Sequence, residues 1–270
     1  MHRVPPRPIG TAMLWQALTG PSLPAPRRRI HEEHPVSGRG ANAVARTKLP
    51  PAAQRWLATA MPGDVPSRTR IWVGQSGAME SDGRWLTFKG TGTYTAQPLG
   101  YDWRVRLRVM FGLWFLAKDG YDEADGWGGA WVYGIKSMGE RRGPDVRAMQ
   151  AVRNLAELVW VPDLAISEPG LHWSDAGESA FEIACQSGTR QVSVRFEVDD
   201  HGDVVRATSD RLYPEPEGYV DAPWRCEFGE PREFGGVRVP SRMTATYDLE
   251  DGTWEYMHVE VTTIDRDDGT

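Results

Sequence analysis

From Thr69 onward the chain alternates apolar and polar residues in short segments separated by turns, the period-two pattern of half-buried strands. Two stretches show it cleanly. Trp103, Val105, Leu107 and Val109 share one face and Arg104, Arg106 and Arg108 the other; Val192, Val194, Phe196 and Val198 likewise oppose Gln191, Ser193, Arg195 and Glu197. Further strand segments are RIWVGQSGAM, RWLTFKGTGTY, LWFLAKDGY and GAWVYGIK, then HWSDAG, ESAFEIACQ, VVRATSDRL, WRCEFGEPREF, VRVPSRMTATYDL and WEYMHVEVTTI. Turn signals separate them at Ser81-Asp82-Gly83, Ser187-Gly188, His201-Gly202, Gly235-Gly236 and Asp251-Gly252, where glycine supplies a positive φ. Successive hairpins imply an antiparallel meander, without the β-α-β rhythm of a nucleotide-binding parallel sheet.

Two segments change period. LPPAAQRWLATAMPG, residues 49–63, reads as a helix with prolines in its first turn and Pro62-Gly63 at its end. A longer helix is predicted over Asp145–Trp160, about 24 Å long. Its apolar stripe is Met149, Val152, Ala156 and Val159, with Arg153, Glu157 and Trp160 on the flank.

Composition refines this picture. Residues 1–48 hold seven prolines and eight Lys/Arg against two Asp/Glu, so they read as a flexible tail, followed by one domain over 49–264 and a disordered end at 265–270. The remaining residues carry 23 basic and 35 acidic groups, a poor electrostatic match for phosphate backbones, so no nucleic-acid partner is expected. No run approaches the ~20 apolar residues of a membrane span. PIGTAMLWQALTGPSLPA is too interrupted for a signal peptide, so no stable membrane insertion and a cytoplasmic location are expected. Cys185 and Cys226 read as buried apolar residues, with pairing left open.

Most motif-like fragments reduce to structure. GQSGA, residues 74–78, lacks the strand–turn–helix context of a nucleophile elbow, and GTGTYT, residues 90–95, has no following helix. Of His2, His31, His34, His172, His201 and His258, only His31 and His34 have a metal-like i,i+3 spacing, and they fall in the disordered composition of the tail, so neither metal nor cofactor is expected. His258 shares strand parity with Trp254, Tyr256 and Glu260. That set is read as the solvated face, because Met257, Val259 and Val261 make the better core face; an inward acid–base pair is the alternative. Twelve tryptophans exceed what one two-layer core needs and suggest walls of an apolar cavity. Arg153 and Glu157, spaced i,i+4, are either a surface ion pair or a charged edge of that cavity.

The chain resembles a bacterial family of unknown function patterned L-P-x4-R-Y-L, Q-x-G, W-x-x-F, D-x-Y-x-x-G-x-G, R-Y-L-A-E-x-x-W-x-P and P-W…G-x-x-I-P. The matching text here is LPPAAQRWLATAMP, QSG with WLTF, DGYDEADGWGG, RNLAELVWVP, and PWRCEF followed by GGVRVP. Asn154 replaces an aromatic residue, and the loop after Tyr121 is about two residues longer. That family resembles the half-barrel shared by lipoprotein carriers and a violacein-pathway enzyme. The resemblance implies a mainly β fold: a strongly curved, open antiparallel sheet with helices on its concave face. It also implies two functional classes. One is a carrier of an apolar or aromatic small molecule or lipid, with Trp103, Trp114, Tyr121, Trp131, Tyr133, Trp160 and Trp173 as cavity walls. The other is a cofactor-independent isomerase or cyclase of secondary metabolism, with Glu157, Arg153 and Asp119 as catalytic groups. A carbohydrate-binding surface is a third reading, and a homodimer is compatible with all three.

Overall fold

The computed structural model describes residues 46–63, 68–110, 112–216 and 218–266. Residues 1–45 and 267–270, the greater part of both expected tails, lie outside them. The described chain begins with a 3-10 turn at Arg46–Lys48, whose Arg46 Nη1 donates to the Met61 carbonyl at 3.2 Å. This turn and Asp265–Arg266 fall within segments expected to be tails.

Helix α1 (Pro51–Ala60) is followed by six strands: β1 (Arg70–Ser81), β2 (Arg84–Thr95), β3 (Gly100–Met110), β4 (Leu113–Tyr121), β5 (Gly126–Val132) and β6 (Lys136–Arg142). Helix α2 (Pro144–Glu157), a 3-10 turn (Leu158–Trp160) and α3 (Pro162–Ser167) come next. The remaining strands are β7 (His172–Asp175), β8 (Ala180–Ser187), β9 (Arg190–Val198), β10 (Val204–Glu215), β11 (Gly218–Phe234), β12 (Val237–Leu249) and β13 (Gly252–Asp265).

All thirteen strands form one antiparallel sheet in the order β6-β5-β4-β3-β2-β1-β13-β12-β11-β10-β9-β8-β7. Each half is a simple meander. The halves join where β1 pairs with β13, from Trp72 opposite Asp265 to Met79 opposite Met257. The helical connection therefore runs from one sheet edge to the other. Laid flat, thirteen strands would span roughly 58 Å at ~4.8 Å each, whereas α2 is only about 21 Å long. Yet α2 contacts β3, β4, β5 and β6 of one wing and β8, β9 and β10 of the other. The sheet is thus curled around the helix as an open half-barrel, the architecture that the resemblance implied.

Sequence parity explains which side faces in. Trp103, Val105 and Leu107 are buried while Arg104, Arg106 and Arg108 are exposed, and β9 alternates in the same way. Close approach of helix to sheet needs glycine. A Cβ on Gly126 would lie 2.2 Å from the Arg147 Cα, so α2 can seat on β5 only because that position is bare. The expected stripe is borne out at Val152 and Ala156 of α2 and at Val159 of the following 3-10 turn, all buried, with Met149 half-buried. The expected flank is not an edge, however: Gln150 through Ala165 is buried throughout, because the two wings enclose the helix from both sides.

Two expectations change with the register. GAWVYGIK is not one strand: β5 ends at Val132, and Tyr133 takes a positive φ of 50° in a tight turn before β6. In β13, Ala245 faces Met257 but Thr246 faces Glu255, so Tyr256 is an extra residue in a β-bulge. The bulge turns Trp254 and Tyr256 to the concave side with Met257. His258 stays outside, stacked on Trp85 at 4.3 Å and 2.6 Å from Glu255 Oε1. The two cysteines are free and buried.

Candidate functional site

Between α2 and the concave sheet lies a cavity of about 200 Å³. Its apolar wall includes Trp103, Phe115, Trp224, Trp254 and the methionines Met79, Met149, Met243 and Met257. A cluster of charged and phenolic groups forms its polar side, and strand and helix periodicity bring those groups together. Met149, Arg153 and Glu157 recur every four residues on one face of α2. Asp119 is an inward position of β4; Tyr101 and Trp103 are inward positions of β3.

Arg153 is the hub. It is 7% exposed; its Nε donates to Glu157 Oε1 at 2.8 Å and its Nη1 to Asp119 Oδ2 at 2.9 Å. Its guanidinium lies 4.4 Å from the Trp103 ring centroid and 5.5 Å from that of Tyr101. Nη2, also buried, has no hydrogen-bond partner among the described residues. Burial works against the charge of Arg153, but Glu157, Tyr101 and Asp119 outweigh it and hold the guanidinium protonated.

The second layer fixes this hub. Glu157, 2% exposed, accepts from the Tyr94 hydroxyl at 2.6 Å. Gln75 accepts from Trp103 Nε1 at 2.7 Å and donates to the Tyr94 oxygen at 3.3 Å. The Tyr101 hydroxyl donates to Gln150 Oε1 at 2.5 Å. Burial, then Glu157, pushes the Tyr94 phenol well above its ordinary range. Asp119 differs from Glu157 in being reachable. Its side chain is 26% exposed, and burial raises its carboxyl above the ordinary value despite the opposing pull of Arg153. A carboxyl so placed can exchange a proton with a bound molecule.

A separate cation stands beside this cluster. Arg211 of β10, 7% exposed, donates from Nε to the Met149 carbonyl at 3.1 Å and from Nη1 to the Tyr247 hydroxyl at 2.6 Å. Tyr256 lies 3.5 Å from the same Nη1 and accepts from Trp224 Nε1 at 2.9 Å. Among the described residues no group of His, Cys, Asp and Glu has a metal-binding arrangement, and no helix is long and apolar enough to cross a membrane.

Arg153, Glu157 and Asp119 are therefore gathered at one cavity. Of the expected aromatic walls, Trp103 alone lines it. Trp114 and Trp131 lie on the outer face, covered by Arg106 at 4.4 Å and Lys118 at 4.8 Å, because their strand parity opposes that of Phe115 and Ala117. Tyr133 is exposed in its turn. Tyr121 is buried beside Cys185 and Trp160 is 0% exposed, both in the core, while the half-buried Trp173 packs against it by stacking on Phe181 at 5.7 Å; none of the three lines the cavity. Sequence reasoning missed Arg211, Trp224 and Tyr247, and it placed Trp254 and Tyr256 on the solvated face. The only available signal for the last two was their shared parity, which the bulge reverses.

Two solved structures show similar architecture. A LolA superfamily protein from Nitrosomonas europaea is 13% identical with a TM-score of 0.41, covering 81% of this chain and 94% of that one. A DUF1329 family protein from Desulfovibrio piger is 10% identical with a TM-score of 0.45, covering 81% and 92%. No curated protein matches the chain. Residues 42–259 match the family of unknown function DUF6544, and the chain belongs to that family.

Proposed function

We propose that this protein binds an apolar small molecule in the cavity between α2 and the concave sheet. The supporting observation is the wall itself: Trp103, Trp224, Trp254 and Phe115 with four methionines, around one cluster of charged side chains. Ligand sites combine such an apolar majority with a few convergent polar groups. Methionine adapts its shape to varied guests. The size narrows the class. An engineered cavity of ~150 Å³ takes up benzene, so about 200 Å³ suits one ring system or a chain of roughly eight carbons. A lipid with several acyl chains would require the curled sheet to widen.

The test is a titration with octan-1-ol, indole and naphthalene read by tryptophan emission and by native mass spectrometry. Saturable binding of one guest per chain is expected. An unchanged spectrum and mass across all three would overturn the reading.

A second reading, a cofactor-independent enzyme, is favoured by Asp119. It faces the cavity, is partly accessible, and has its proton affinity raised by burial. In this reading Asp119 exchanges a proton with the guest, Arg153 positions it, and Glu157 holds Arg153. Asp119→Asn would then abolish conversion of a bound guest while preserving its uptake. A guest recovered unchanged from the native protein favours carriage.

A further inference from the structure

The cavity carries an imbalance that the ion pairs do not resolve. Arg153 has two carboxylates within 3 Å, those of Glu157 and Asp119. Arg211 has none: among the described residues its partners are one backbone carbonyl and two phenol oxygens, all formally neutral. Both arginines are buried, each being 7% exposed. A cation withdrawn from water without an anion in contact is costly, and proteins normally pair it.

Other carboxylates of the lining are engaged elsewhere. Glu157 is held by Arg153 and Tyr94, Asp119 by Arg153, and Glu80 accepts from the Gly83 amide and from Trp254 Nε1. Arg211 is also rigidly aimed. Its Nε is tied to the helix backbone at Met149, its Nη1 to Tyr247, and its guanidinium lies 5.2 Å from the Trp224 centroid. Nη2 makes no hydrogen bond to a described residue. The buried Nη2 of Arg153 likewise has no hydrogen-bond partner among the described residues, and Arg153 leaves α2 one turn beyond Met149, the residue that anchors Arg211. Arg211 thus brings a guanidinium to a cavity whose wall is mainly aromatic and aliphatic, with Asp119, Glu80, Gln150 and Arg141 among its other polar members.

We infer that the guest is an apolar acid whose carboxylate docks on Arg211, with its body against Trp224, Trp254 and the methionines. This deepens the binding function proposed above and rests on it. With Nε and Nη1 of Arg211 engaged, Nη2 is the donor left for a carboxylate oxygen, a charge-assisted hydrogen bond. Alkanoic and arylacetic acids share this chemistry, and the cavity volume admits either class.

The test compares acid with uncharged counterpart on the full chain at pH 7.5, where the ligand carboxylate is ionised. Octanoate is set against octan-1-ol, and phenylacetate against phenylacetamide, by calorimetry. The expected result is at least one acid binding roughly 10- to 100-fold tighter than its counterpart, the factor that a charge-assisted hydrogen bond supplies. Which acid gains more identifies the aliphatic or aromatic class. Arg211→Gln should erase the acid's advantage, read within that variant as the ratio of acid to counterpart affinity. If that variant does not fold, Arg211→Lys keeps the charge without the guanidinium geometry and should retain only part of the advantage. Equal affinity of acids and counterparts for the native protein would overturn the anion anchor and leave the apolar site standing. Absence of binding by all four would overturn both.

Discussion

Arg153 Nη1 lies 2.9 Å from Asp119 Oδ2, tying helix α2 to strand β4 across 34 positions of sequence. The contact turns an i,i+4 helix pair into a three-member charged cluster and places its only accessible carboxylate at the cavity. It also fixes the consequences of altering each member.

Replacing Glu157 by Gln keeps the shape and the acceptor for Tyr94 but removes a charge that is 2% exposed. Breaking a buried pair from one side leaves an under-compensated guanidinium, so a loss of about 3 kcal/mol is expected in urea denaturation. A change below about 0.5 kcal/mol, the range of surface substitutions, would show that water reaches this pair freely.

Asp119 should make stability depend on pH in a particular direction. Burial raises its native pKa above the ordinary 3.8, against the pull of Arg153. The native state then binds the proton more tightly than the unfolded chain. The resulting stabilisation is fully present below pH 3.8 and is lost as pH rises through the native pKa. Asp119→Asn cannot titrate there. The stability of the native protein relative to this variant should therefore fall from pH 3.8 upward and level off above the native pKa. A relative gain over that interval would mean that Arg153 outweighs burial.

Gly126→Ala tests how helix and sheet meet. The added Cβ would sit 2.2 Å from the Arg147 Cα, a clash with backbone that no rotamer relieves. Overpacking of this kind costs about 1–3 kcal/mol. Thermal melting should fall accordingly, and the affinity for apolar guests should change with it because α2 forms one wall. Native melting together with native affinity would show that α2 can shift without disturbing the cavity.

Tryptophan positions should separate by face. Trp224→Ala removes a cavity wall and the indole N–H bond to Tyr256, and should weaken guest binding at least tenfold. Trp114→Ala, on the outer face under Arg106, should leave affinity within twofold. Trp160→Ala should cost about 3–5 kcal/mol of stability as a large-to-small core change. Equal loss of binding at Trp224 and Trp114 in calorimetry would move the site away from the concave face.

Much of this protein is written locally. Alternation over Trp103–Val109 and Val192–Val198, glycine-marked hairpins and the apolar stripe of α2 follow from the two- and 3.6-residue periods, so strands, helix and meander were legible. So was the company of Arg153 and Glu157, because residues four apart on a helix must be neighbours. Periodicity divides a strand into two faces but does not say which face is enclosed. Trp114 and Trp103 are equally apolar in sequence, yet one covers the outer surface with Arg106 and the other lines the cavity.

Tertiary structure decided the rest through three long-range facts. Pairing of β1 with β13 joins the two meanders, and α2 draws both edges inward, so residues of β10–β13 meet residues of β3–β5. One extra residue at Tyr256 reverses the facing of Trp254 and Tyr256, a shift that no local period reveals. Arg211 reads in sequence as an ordinary polar position of a strand. Only the enclosure of its strand by α2, with Met149 and Tyr247 holding its guanidinium, makes it a buried cation facing an apolar space. Burial is a property of the assembled fold, and the chemistry of a charged side chain changes with burial far more than with its neighbours in sequence.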